Sequence, residues 1–140
     1  ISKLINFAYK SNCILSNNIK WMPNKEAEMV KYFRNTFLSV KVSYCNEIYE
    51  YCQAKNINYE NVRKIAALDK RIGLSHTLVP GHDGKFGFGG TCFPKDTNGL
   101  LFDIKKNNIK SYILQSTINR NEKRDRPKKD WLLDKGRAIV

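Results

Sequence analysis

What this 140-residue chain lacks narrows its class quickly. It has no run of about eighteen apolar residues, so no segment reads as a transmembrane helix. None of its four cysteines, Cys13, Cys45, Cys52 and Cys92, forms a Cys-x-x-Cys pair. The two histidines, His76 and His82, do not stand at zinc-ligand spacing, so no metal site is expected. Cys45 and Cys52 are seven residues apart in a helical pattern. That separates them by about 10 Å along the axis, too far for a disulfide. A reducing, cytoplasmic setting is the simpler expectation. No glycosylation sequon and no signal peptide are legible. Acidic residues are also scarce: 13 against 25 Lys and Arg, for a net charge of +12. Such a surplus suits phosphate backbones. No nucleic-acid motif accompanies it, however. The charge therefore reads first as a lysine-rich surface that would also suit a small anionic substrate, and neither nucleic acid nor a membrane is expected as a partner.

What is present is helical periodicity interrupted by one glycine-rich loop, and the expected fold is mainly α. From Lys25 to about Ala54, Val30, Phe33, Phe37, Val40, Tyr44, Ile48 and Tyr51 recur at intervals of three and four, with no Gly or Pro among them. Asn24 is the expected N-cap, and Glu26 and Glu28 suit the first turn. A helix of roughly 45 Å is too long for so small a globule to surround. One face is therefore expected to meet a partner chain or another domain. On the opposite face, Lys31, Asn35, Ser39 and Asn46 form a polar row. It is either a solvated stripe or a polar face turned to a pocket, and periodicity alone favours the solvated reading. Leu4, Ile5 and Ala8 suggest the end of a helix, and Ile19 to Met22 a short strand. A second helix is expected from Tyr59 to about Leu68, capped by Asn58, with Ile57 and Val62 as a hydrophobic staple. Further helices are expected over about 96–106 and 110–122, followed by a charged tail.

The loop "LSHTLVPGHDGKFGFGGT" precedes Cys92, and loops this long in compact domains are usually functional. Gly87, Gly89 and Gly90 do not form the dinucleotide fingerprint G-x-G-x-x-G, nor is there a P-loop. What glycines offer is close backbone approach and positive φ. Interleaved with Phe86, Phe88 and Phe93, they suit a flat or sugar-like ligand. Cys92 stands near the start of the next helix with Lys95 three residues on, a setting that favours a thiolate. Asp96, one turn along, suits a base or a water-orienting carboxylate. On the residues alone, a nucleophilic and a packed Cys92 stand even. The other three cysteines read as structural, and the histidines as ordinary loop residues.

The segment "PGHDGK…GFGGTCFPKD", the helix "EAEMVKYFRNTFLSVKVSYCNEIYEYC" and the turn "LDKRIG" together resemble the UDP-glucose/GDP-mannose dehydrogenase family. The match is strong over about Glu26 to Asp96 and weaker through Glu122. The resemblance implies an NAD-dependent enzyme that oxidises the C6 alcohol of a nucleotide sugar to a carboxylate through a cysteine thioester. The wording "TCFPKD" favours UDP-glucose; oxidation of GDP-mannose or UDP-N-acetylmannosamine is the sister alternative. A non-catalytic dimerisation remnant is the other alternative.

Among catalytic residues, the resemblance makes Cys92 the thiol, Lys31 and Asn35 the pair that stabilises the oxyanion and positions water, and Asp96 the carboxylate assisting hydrolysis. Lys95 would lie near NAD, and Arg71 would reach substrate across a homodimer. The glycine loop, with Phe86, Gly87, Phe88, Gly89 and Gly90, would bind the sugar nucleotide. Residues 23–122 would be the central helical dimerisation domain of an otherwise α/β enzyme with two Rossmann domains. Residues 1–22 are expected to be a remnant of its N-terminal NAD-binding domain. Residues 123–140 are expected to be a basic tail or linker towards a C-terminal one. The family's glycine fingerprint, catalytic threonine and catalytic glutamate do not occur in this sequence, so these 140 residues alone are expected to show little or no dehydrogenase activity.

Overall fold

The computed structural model describes residues 1–133; the end of the expected tail, residues 134–140, lies outside them. Five α-helices follow in order: α1 (Ser2–Lys10), α2 (Asn24–Ala54), α3 (Tyr59–Ala66), α4 (Cys92–Lys106) and α5 (Tyr112–Arg120). A π-helical turn, Asn121–Asp125, and a 3-10 turn, Asp130–Leu132, complete the described chain. The expected mainly-α class holds. No strand occurs among the described residues, so the strand expected at Ile19 to Met22 is not formed.

α2 is the axis of the fold, with α3, α4 and α5 packed along it. Asn24 is its first residue rather than its cap: Pro23 occupies that position and no side chain caps the turn. Proline suits a helix start because its missing N–H is not needed there. At the other end Asn56 takes a left-handed φ of 55°. Ile57 N–H then reaches the Cys52 carbonyl at 2.8 Å, the αL stop that Asn tolerates best after Gly. Asn108, with φ 58°, ends α4 in the same way. Asn58 caps α3 as expected, its side chain accepting from Asn61 N–H at 3.1 Å.

The two faces of α2 reverse the solvated reading of the polar row. Its buried residues are Thr36, Ser39, Ser43, Cys45, Asn46 and Cys52, all small or polar. Several large apolar residues point outward: Phe33 is 65% exposed and Phe37 58%, stacked on each other with ring centroids 6.3 Å apart. Met29, Tyr44 and Tyr51 are exposed with them. The inward hydroxyls of Thr36 and Ser39 remain satisfied because they bond back to their own helix, whereas Ser43 Oγ is buried without a hydrogen-bond partner among the described residues. Thr36 Oγ1 donates to the Tyr32 carbonyl and Ser39 Oγ to the Asn35 carbonyl, each at 2.8 Å. Small side chains on this face let α4 approach closely, and Thr97 of α4 donates to Ser39 Oγ at 3.0 Å.

The apolar core lies at the far end of α2, where Cys45, Cys52, Tyr59 and Val79 pack with Ile48 and Tyr49. Burial pushes the Cys45 thiol up, as befits a packing cysteine. Cys13 differs from the expectation: it is exposed beyond the end of α1 and is not a core residue.

The Ser39–Thr97 contact should carry measurable stability. Thr97→Val removes a fully buried donor that also reaches the Phe93 carbonyl at 2.6 Å. Urea unfolding should show a loss of about 1–2 kcal/mol. No loss would mean that shape alone joins α2 to α4.

Candidate active site

The polar row of α2 meets the first turns of α4. Asp96, one turn into α4, is 1% exposed. Asn35 Nδ2 donates to its Oδ2 at 2.5 Å, and the Lys31 ammonium stands 3.6 Å from the same oxygen. The Lys95 ammonium lies 3.8 Å from Oδ1. Two exposed cations and one amide thus surround one buried carboxylate. Four of the residues expected at a catalytic or cofactor site are brought together here: Lys31, Asn35, Lys95 and Asp96.

Cys92 is the first helical residue of α4, behind Thr91. Its i, i+4 relation to Asp96 places both on one helix face, about 6 Å apart between Cβ atoms. The thiol is half-buried and free. Phe93, next to it, packs against His76, with ring centroids 5.6 Å apart. His76 remains an exposed loop residue, as expected, with its ring beside Phe93. Partial burial of the ring lowers its pKa and favours the neutral form.

Arg71 is not part of this cluster. It stands on the turn after α3, its side chain 90% exposed and paired with Asp69 at 2.6 Å. The turn itself is held by Lys41, whose ammonium donates to the carbonyls of Ile72 at 2.7 Å and Ser75 at 2.5 Å.

The glycine loop is pinned from behind. Gly87 N–H donates to Asn46 Oδ1 at 3.1 Å. Phe88 N–H donates to Asn121 Oδ1 at 2.8 Å, and Asn121 Nδ2 returns a bond to the Phe88 carbonyl at 2.9 Å. Phe88 is buried, with its ring 6.3 Å from that of Phe93, whereas Phe86 is partly exposed against Tyr49 at 5.7 Å. The Gly87 N–H and both backbone groups of Phe88 are therefore engaged within the chain, ahead of Gly89 and Gly90. Arg126 lies against Gly89, so close that a Cβ there would sit 2.5 Å from its guanidinium carbon. Its guanidinium donates to Asp83 at 2.5 Å and to Asp130 at 2.6 and 3.0 Å. The segment expected as a tail from Lys123 thus meets the loop through Asp125, Arg126 and Asp130. Sequence reading missed Asn121 and Arg126, which sit in the run "RNEKRDRP", where charge hides them.

Comparison with known proteins identifies the family. A family model described as "UDP-glucose/GDP-mannose dehydrogenase family, central domain" matches residues 25–123. The chain is 42% identical over 98 residues to a UDP-glucose 6-dehydrogenase of Rickettsia bellii, covering 70% of this chain and 21% of that protein. It is 38% identical over 100 residues to one from Pseudomonas aeruginosa, covering 71% of this chain and 21% of that one. It is also 33% identical over 123 residues to one from Campylobacter jejuni, covering 88% of this chain and 30% of that one. The chain therefore spans between about a fifth and a third of the length of these relatives.

The Arg126 clasp should loosen in acid. Its guanidinium holds the Asp130 carboxyl well below the usual carboxylate range. A depressed folded value means that the pair's stabilisation is complete above the unfolded value of about 3.9 and is lost as pH falls through the folded one. Below about pH 4 the chain should lose stability more steeply than Asp130→Asn, which is already weaker at pH 7. Parallel acid melts, followed by circular dichroism, would remove Asp130 from the clasp.

Proposed function

The chain belongs to the UDP-glucose/GDP-mannose dehydrogenase family, and on that premise we propose that it is the central segment of an enzyme that oxidises UDP-glucose at C6 to UDP-glucuronate. The observation that carries this reading is the convergence of Lys31, Asn35 and Asp96 one helical turn from Cys92. The names of the relatives support UDP-glucose as substrate over a sister nucleotide sugar.

NAD, when bound, would supply the hydride acceptor, two molecules in succession each taking one of the two hydrides that carry C6 from the alcohol to the acid oxidation level. Of the residues here, Lys95 fits such a group: its ammonium is exposed beside the cysteine's turn and suits an anionic dinucleotide. Cys92 supplies the covalent chemistry. Its thiolate adds to the carbon of the C6 aldehyde, forming a C–S bond and placing negative charge on the former carbonyl oxygen. Lys31 and Asn35, which meet Asp96 in this structure, would donate to that charge, and a fixed donor is worth most where charge develops in a water-poor site. Once the carbon reaches the thioester level, water attacks it. Asp96 accepts a proton from that water, the C–S bond breaks, and sulfur leaves as thiolate. The position of Cys92 at the positive end of α4 favours the anion at both its entry and its departure. Gly89 and Gly90 would meet the sugar nucleotide by backbone contact, with Phe86 and Phe88 shaping the loop around it.

A homodimer completes the reading. The exposed aromatic face of α2 continues into a groove of about 350 Å³ lined by Val40, Tyr44, Tyr112, Ile113 and Arg120. A second copy covering this face would bury what one copy leaves wet. Arg71, directed into solvent, would then serve the partner's substrate.

In the full-length protein, Cys92→Ala should abolish formation of UDP-glucuronate, measured by NADH absorbance and product chromatography. Undiminished acid from that variant would sink the assignment. Phe33→Asp combined with Phe37→Asp should convert the dimer to a monomer in sedimentation velocity.

A further inference from the structure

The family reading assigns roles on the front of the glycine loop, where ligand and cysteine meet. The structure shows as much order behind it. Asn121 is 1% exposed, and both ends of its amide are spent on Phe88, which lies four residues before the cysteine. A buried side-chain amide that satisfies both the N–H and the C=O of one residue fixes that peptide as a neighbouring strand would. Gly87, with φ +66°, comes so close that a Cβ there would stand 2.2 Å from Asn121 Oδ1 and 2.8 Å from the Asp125 Cβ.

The backbone at Asn121 is itself unusual. α5 gives way to a π turn at this residue, and Arg126 N–H closes it on the Asn121 carbonyl at 2.7 Å. A π turn inserts one residue and swings the following side chains round the axis; such turns gather at functional sites. Here Asn121 and Asp125 both reach Gly87, and Arg126 lies against Gly89.

We propose that Asn121, presented by this π turn, is a positioning residue that sets the peptide at Phe88 and through it the placement of Cys92, with Arg126 as its outer support. The proposal rests on the assignment of Cys92 as the reacting thiol. It adds a device that touches neither substrate nor cofactor. Displacement of a reacting group by about 1 Å can cost about a hundredfold in rate, so a loop rich in glycine needs such an anchor if its cysteine is to stay in place.

The test compares Asn121→Ala, Asn121→Asp and Arg126→Gln with the parent in the full-length protein. Three quantities are measured: thermal unfolding, iodoacetamide alkylation of Cys92 resolved by peptide mass spectrometry, and kcat and KM for UDP-glucose oxidation. Asn121→Ala should lower kcat by about a hundredfold and change the Cys92 alkylation rate by about tenfold while still folded. Asn121→Asp keeps the acceptor for Phe88 N–H, but it can donate to the Phe88 carbonyl only when protonated. Its kcat relative to the parent should therefore rise as pH falls, a recovery that volume and packing alone would not give. If Asn121→Ala does not fold, Asn121→Asp and Arg126→Gln carry the test, the latter with a smaller loss of the same kind. Folded variants with parental kcat and parental alkylation overturn the proposal, as does an Asn121→Asp deficit that is independent of pH. A parent whose Cys92 reactivity depends on Asn121 but which oxidises no UDP-glucose supports the anchor and overturns the reaction assigned above.

Discussion

A single buried carboxylate organises this chain. Asp96 is almost wholly removed from water, and an unpaired carboxylate there would cost several kcal/mol or would simply protonate. It is tolerable because Asn35 donates to it and Lys31 and Lys95 stand within 4 Å. Both ammonium groups keep most of their hydration, so neither pays the full cost of burial. This asymmetry, a buried acid with wet bases, leaves the cations open towards a ligand while the carboxylate is fixed. It also dictates that α2 and α4 meet along polar rather than apolar faces, since Asn35 and Lys31 must look the same way as Ser39 and Asn46.

That requirement explains why α2 appears inside out. A helix in a small domain normally buries its apolar stripe. Here the stripe carrying Phe33, Phe37, Tyr44 and Tyr51 is exposed, because the other face is committed to Asp96, Thr97 and the glycine loop. The apolar burial that stabilises most domains is confined to the distal cluster around Cys45, Cys52, Tyr59 and Val79. A chain built this way has little core of its own in the region around Asp96. The polar contacts there hold geometry, and a second surface laid over the aromatic stripe would supply the missing hydrophobic term. Dimerisation and site geometry would then be two consequences of one choice of helix face.

The sequence made some of this legible and hid the rest for physical reasons. The long helix was readable because its period is sustained over some eight turns without Gly or Pro. The cap at Asn58 and the stop at Asn56 follow from the local preferences of those side chains. The inward turn of Lys31, Asn35, Ser39 and Asn46 was not readable from periodicity, because a polar stripe has the same spacing whether it faces water or a carboxylate. Only the resemblance to a known family put Lys31, Asn35 and Asp96 at one site, and their contact with one another was not foreseen. Asn24 failed as a cap because Pro23 already starts the helix. Asn121 and Arg126 stayed hidden because their partners lie 33 and 43 residues away, at Phe88 and Asp83. No local pattern encodes such pairs.

The glycines of "GFGG" carry the same lesson about two-sided constraints. Read forwards, they invite a ligand to approach the backbone. Read from behind, Gly87 and Gly89 are small because Asn121, Asp125 and Arg126 already fill the space a side chain would need. The two demands select the same residue type at the same positions, so a glycine run before a cysteine is weaker evidence for ligand contact than it looks. Gly87 has its N–H committed to Asn46 and its Cβ position closed by Asn121, so its glycine is explained without any ligand. Gly90, with φ +65°, needs glycine for its backbone conformation. On the proposed reading, contact with a ligand would fall on the loop's last residues before Cys92, with the earlier ones holding them still.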